Sequence, residues 1–258
     1  MTRLLKHILP ALLIFLLGGG NALAGDIASE NLKYRVMYKW GLINKRAGTV
    51  TIHTSKVDAK GVFNSTLIGH SAKWADKFFA VRDTLRGTII ADGIHPLFYE
   101  KISHEGGEYK HDIITYERHP GGAVTAHCDR YKQKKKSNEV EFSEKELQAS
   151  GYTVDMLSAF YYMRYMDFPN MTPGEHKTMN IFSGKRKEIL KITYQGTETI
   201  SLDKKDYDCY HITFSFTSDG KKKSSDDLQA WIETGANRVP VKMEGKLPVG
   251  SVKCFLEP

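Results

Sequence analysis

Between Leu32 and Trp40 the chain alternates strictly, with Leu32, Tyr34, Val36, Tyr38 and Trp40 on one side and Lys33, Arg35, Met37 and Lys39 on the other. Successive side chains of a strand point to opposite faces, so a period of two describes a strand with one buried and one wet face. Such a strand leaves its backbone groups to its neighbours, and a chain built of them closes its hydrogen bonds in an antiparallel sheet. The pattern recurs. Gly41 ends the first strand, and residues 48–57 resume it with Val50 and Ile52 facing inward. Residues 61–69 form another, and 78–90 form one long strand or two short ones.

Gly106-Gly107 is a two-residue hairpin turn between residues 97–104 and 109–118. It sets His104 opposite Tyr109 and Ile102 opposite His111. Pro120-Gly121-Gly122 turns the chain into 123–131, and residues 132–148 read as a polar connection. Strands resume at 177–182, 187–194, 197–202, 207–218, 228–233, 238–244 and 250–256, with Pro240 marking an edge or a bulge. About a dozen short strands spaced by turns predict a mostly β protein, a large antiparallel curved sheet or an incompletely closed barrel.

One segment departs from this grammar. DMLSAFYYMRYMDF, residues 155–168, has helical spacing, with Met156, Phe160 and Met163 on one stripe and Leu157, Tyr161 and Tyr165 on the next. Its few polar residues do not collect on an opposite face, so the helix, at about 154–167, is buried on most sides. Asp155 stands at its start, where a carboxylate satisfies the free amides of the first turn. The helix either plugs the core of the sheet or also lines a cavity beside it. In the second case the ligand-binding residues are Phe160, Tyr161, Met163, Arg164 and Tyr165: adaptable Met, Tyr with a polar tip, and a guanidinium. Arg164 among these rings pairs within the fold, stacks, or meets an anionic ligand, with pairing the first expectation.

The N-terminus bears on compartment. Arg3 and Lys6 precede an apolar run from Ile8 to Leu17, which is too short to span a bilayer, and Ala22-Leu23-Ala24 precedes Gly25. Residues 1–24 thus read as a signal peptide, and 25–258 as a single β-rich domain secreted across the inner membrane into the periplasm, with no transmembrane segment after cleavage. The formal charge of +7 falls to +5 on loss of Arg3 and Lys6. Much of the excess lies in residues 132–136 and 221–223. These read as solvated loops rather than a nucleic-acid surface, which would interleave stacking aromatics. Lipid headgroups or an acidic glycan remain possible anionic partners; oligomeric state is left open.

Cys128, Cys209 and Cys254 allow at most one bridge. Cys209 and Cys254 both fall in late strands, but a domain of this size buries enough core without a staple, so no obligatory disulfide is expected. Catalytic patterns are missing. There is no G-x-S-x-G, His104-Glu105 lacks the second His of a zinc-protease helix, and Gly18-Gly19-Gly20 belongs to the signal. His104, His111, His119 and His127 read as exposed strand and turn residues. No catalytic residue, metal site or cofactor is expected, although a carboxylate pair drawn from distant strands would leave no local motif.

Three stretches carry a family resemblance: Tyr34-Arg35-Val36-Met37-Tyr38-Lys39-Trp40-Gly41-Leu42-Ile43 with Ala47-Gly48; Val154-Asp155-Met156-Leu157-Ser158-Ala159-Phe160-Tyr161-Tyr162-Met163-Arg164; and Trp231-Ile232 through Arg238-Val239-Pro240-Val241 to Gly250-Ser251-Val252-Lys253. In these the chain resembles the DUF3108 family, envelope proteins of Gram-negative bacteria. The resemblance implies a periplasmic β-rich domain and no particular activity. A looser likeness is to curved half-barrels that carry lipoproteins across the periplasm. The leading expectation is a non-enzymatic envelope protein that binds an apolar or amphipathic ligand such as a lipid or lipoprotein acyl chain. The alternatives are an enzyme acting on glycan or lipid, and a structural or adhesive interaction protein.

Overall fold

The fold comes from a computed structural model that describes residues 27–258 apart from 219–220, 223–227 and 248; the signal-peptide reading, residues 1–24, lies outside the described residues. The chain opens with strands β1 (Glu30–Trp40), β2 (Ile43–Thr54) and β3 (Val62–Ser71), helix α1 (Lys73–Phe79) and β4 (Val81–Ile90). Then come β5 (His95–Glu105), β6 (Glu108–Arg118), β7 (Ala123–Gln133), β8 (Val140–Ser150), β9 (Thr153–Val154) and helix α2 (Met156–Arg164). The rest is β10 (His176–Phe182), β11 (Lys187–Leu202), β12 (Lys205–Ser218), β13 (Lys221–Lys222), β14 (Leu228–Glu233), β15 (Pro240–Lys246) and β16 (Ser251–Glu257).

These strands make one sheet that curls on itself in the order β8-β7-β6-β5-β4-β3-β2-β1-β16-β15-β14-β12-β11-β10-β9, with β13 paired to β12. Every pairing is antiparallel except that of β9 with β10. The first and last long strands, β1 and β16, are neighbours, with Val36 opposite Cys254. The two free edges approach at one corner, where the Asn180 side-chain amide of β10 donates to the Ser150 carbonyl of β8 at 2.9 Å. Above that seam, the turn between β10 and β11 lies on the Asp112–Arg130 ion pair. A Cβ at Gly184 would stand 2.3 Å from Arg130 Nη2.

The expected pattern is present in detail. Tyr34 and Val36 are buried on β1, His104 faces Tyr109 and Ile102 faces His111, and a register shift falls beside Pro240. Three expectations need correction. Among the described residues the strands number sixteen rather than a dozen, because 132–148 contains β8, whose charged residues on both faces hide the alternation of an edge strand, and because β9 and β13 are two residues long. A second helix, α1, occupies the start of the 78–90 region and the residues before it. There Trp74, Phe78 and Phe79 look like strand aromatics. Trp40 is exposed rather than buried, since it lies at the tip of the β1–β2 hairpin beyond the barrel wall.

The three cysteines lie apart in the sheet. Cys254 belongs to the inner core, whereas Cys209 packs with Trp231 and Val241 in a separate cluster on the other face, and β14 and β15 lie between their strands. They are not neighbours, and all three thiols are free and buried. Burial pushes the Cys128 thiol up to about 11 and those of Cys209 and Cys254 up to about 12, so few thiolates form at neutral pH. Mild reductant should therefore leave the melting temperature unchanged. A fall of several degrees would require a bridge and contradict this topology.

Candidate functional site

Inward-facing residues, followed through the register, divide the barrel into two halves. Helix α2 fills one half. Every residue from Met156 to Arg164 is buried, and Leu157 approaches the wall closely enough that a Cβ on Gly87 would lie 3.2 Å from it. The Asp155 carboxylate caps this helix by accepting from the Leu157 and Ser158 amides at 2.8 Å and from the Ser158 hydroxyl at 3.0 Å. Burial raises it to about 6, with these bonds pulling the other way.

The five residues singled out on this helix do not share one environment. Phe160, Tyr161 and Met163 are fully buried, Arg164 is 2 % exposed, and Tyr165 is half-buried. The Tyr161 hydroxyl bonds Ser65 and Thr54 at 2.7 and 2.6 Å, and its ring meets Phe63 edge-on. Arg164 grips both oxygens of Glu30, donates to the Asn237 and Arg238 carbonyls at 2.7 and 3.1 Å, and lies over the Phe160, Tyr161 and Tyr165 rings. The guanidinium thus ties the helix to the start of β1 and to the β14–β15 connection. Tyr162, not one of the five, lines an open groove of about 490 Å³ with His95, Tyr152, Met171 and Lys177.

The other half of the interior lies toward the opposite end of the barrel, its mouth end. The register sends the connections 41–42, 72–80, 106–107, 134–139, 183–186 and 247–250 to this one end. Its two walls differ. From β11 through β16 to β1 the inward residues are apolar: Ile192, Phe214, Leu228, Met243, Val252 and Val36. On β4 to β7 they are charged. Asp83 stands opposite Gly69 and Ser103, Lys101 opposite Leu85 and Asp112, and Asp112 opposite Arg130. Glu105 is one inward step beyond Ser103 toward the mouth, and the Phe79 ring of α1 covers the adjacent Gly106.

Asp112 is satisfied by a two-bond fork from Arg130 at 2.5 and 2.7 Å. Its neighbours are not. Asp83 is 1 % exposed and Glu105 8 %, yet neither Asp83 oxygen, nor one oxygen of Glu105, nor the buried hydroxyls of Tyr99 and Tyr116 finds a hydrogen-bond partner within the protein. A buried polar atom without a partner costs roughly 1–3 kcal/mol, and here five gather on one wall. Burial pushes Asp83 up to about 8; Lys101 pulls it down and Glu105 pushes it up. The Tyr99 and Tyr116 hydroxyls are pushed well above their usual range by burial. Chemically this wall offers two neighbouring buried carboxyls, a lysine, and two buried hydroxyls. Such a set accepts hydrogen bonds from an amine or polyol.

Sequence reasoning missed Asp83 and Glu105, which lie 22 positions apart and meet only through the β4–β5 register. A signal was nonetheless present: each takes an inward slot in an alternating strand, where apolar residues belong.

A nearly closed antiparallel sheet around an internal helix is a β-barrel-like fold. The chain belongs to the family described as "Protein of unknown function (DUF3108)", whose model matches residues 33–257. The fold is similar to the crystal structure of a β-barrel-like protein of the domain of unknown function DUF1849 from Brucella abortus. That likeness has a TM-score of 0.57 at 10% identity, covering 89% of this chain and 98% of that one. A search of the curated proteins returns no match.

Proposed function

We propose that this is a non-enzymatic periplasmic binding protein that holds an apolar or amphipathic ligand, such as a lipid or lipoprotein acyl chain, in the mouth half of the barrel. The observation that carries this reading is the two-sided interior: an aliphatic and aromatic wall facing buried carboxyls and hydroxyls without partners. Binding sites combine mostly apolar lining with a few convergent polar groups. An acyl chain suits the first wall, and a head bearing hydroxyl or amine donors suits the second. Residues Phe160, Tyr161, Met163, Arg164 and Tyr165 support this half from below as a plug, rather than reaching for ligand with the Arg164 charge.

Export follows the same reading, with cleavage after Ala24. Among the described residues no helix is long and apolar enough to cross a membrane. N-terminal sequencing of the protein recovered from the periplasm should begin at Gly25; full-length protein in the cytoplasm would overturn the localisation. The ligand reading is tested by titrating a fluorescent fatty acid or phospholipid into the protein. Saturable binding that Asp83→Asn weakens supports it, and no binding by the wild type refutes it.

A second reading, hydrolysis of a glycan or lipid, rests on one feature. A carboxyl held protonated beside another, with a lysine near, has the makings of a general acid and its partner. Turnover lost in both Asp83→Asn and Glu105→Gln would favour it over the carrier.

A further inference from the structure

The rim of the mouth carries a feature that ligand holding does not require. At the tip of the β1–β2 hairpin, Gly41 takes the positive φ of 54° that a tight two-residue turn needs, and Leu42 beside it is 106% exposed. Trp40 is 49% and Ile43 43% exposed, and Phe78 of α1 is 51% exposed. Helix α1, which carries Phe78, is bound to β2 a few residues from the tip. The Trp74 indole N–H donates to the Arg46 carbonyl at 2.6 Å, the Ala72 N–H donates to the Ala47 carbonyl at 2.7 Å, and the Lys45 ammonium lies 5.0 Å from the Trp74 ring centre. The turn needs only the glycine, so nothing in the fold calls for an apolar residue projecting into water at position 42.

Around this tip the exposed charges are basic. Lys39, Lys45, Lys73 and Lys77 are exposed, and Asp76, the acidic residue of α1, is engaged by Arg82. Lys135 and Lys136 lie at the same end of the barrel, in the β7–β8 connection. A protruding apolar cluster in a lysine collar suits one kind of partner. The centres of protein–protein interfaces are depleted in lysine. At a bilayer interface, Trp, Leu and Phe enter the headgroup region while Lys meets lipid phosphates.

We infer that the mouth end of this barrel docks on an anionic lipid bilayer, with Trp40, Leu42, Ile43 and Phe78 entering the interface and the surrounding lysines holding phosphates. Docking in this orientation turns the mouth toward the membrane. The inference stands apart from the ligand reading, since a barrel that holds no lipid would still bind vesicles through this tip.

Co-sedimentation of the chain lacking residues 1–24 with phosphatidylcholine vesicles, with and without about one third phosphatidylglycerol, tests it. The protein should pellet with the anionic vesicles only, and raising salt from about 0.1 M to about 0.5 M should release much of it. Leu42→Asp should lower partitioning at least about tenfold, and Lys73→Gln with Lys77→Gln by about tenfold or more. These positions are exposed, so circular dichroism and melting temperature should match the wild type in both variants. Wild-type protein left in the supernatant, equal binding to both vesicle types, or wild-type pelleting by Leu42→Asp would each overturn the inference.

Discussion

Replacing Asp83 by Asn should leave stability near pH 4 almost unchanged and raise it progressively toward pH 9. The folded protein holds this carboxyl protonated up to about 8 because it is buried, with Lys101 opposing and Glu105 reinforcing that shift. The unfolded chain releases the proton near the ordinary carboxylate value. Between those limits the native state binds more protons than the unfolded state, so the group's contribution to stability is present at low pH and lost as pH rises through the folded pKa. At about 1.4 kcal/mol per unit the window amounts to an upper bound of about 6 kcal/mol. Asn keeps the shape and removes the titration. Asp155, also raised, titrates in both proteins and cancels in the comparison. Melting temperatures from pH 4 to 9 should diverge; parallel curves would show that Asp83 ionises freely.

Truncating Phe160 to Ala should cost on the order of 3–5 kcal/mol, since the ring is wholly buried and leaves a cavity that a barrel wall cannot collapse to fill. Arg164→Ala belongs in the same range, because it strands the Glu30 carboxylate and frees two carbonyls at once. Arg164→Lys should recover only part of the loss, as one ammonium cannot fork to Glu30 and reach both carbonyls. By contrast, Leu42→Asp, at a fully exposed turn, should stay within about half a kcal/mol of the wild type. Urea titration measures all four. A Phe160→Ala protein with wild-type midpoint would show that α2 does not plug the barrel.

What the sequence disclosed followed from local rules. Alternation marked β1, paired glycines marked the β5–β6 register, and Asp155 before an apolar run marked the capped helix. In each case the physics acts within a few residues. Helix α1 escaped because seven residues rich in aromatics satisfy either period, and its burial is settled by β2 and Gly106, which are distant in the chain. β8 escaped because an edge strand with both faces wet needs no apolar alternation. The relation of Cys209 to Cys254 depends on which face each occupies and on two intervening strands, neither of which spacing encodes. Asp83 and Glu105 were visible one at a time as acidic residues in inward slots. Only the antiparallel ladder made them a pair.

We propose that the mouth half of the barrel holds a ligand whose polar head meets Asp83 and Glu105. Native mass spectrometry of protein purified from its own periplasm, run beside Asp83→Asn purified identically, tests it most directly. The wild type should carry an added mass that is released on denaturation and extracts as an amphipathic molecule, and the variant should carry less of it. The bare mass of residues 25–258 in both proteins, with no lipid probe taken up on titration, would contradict the claim.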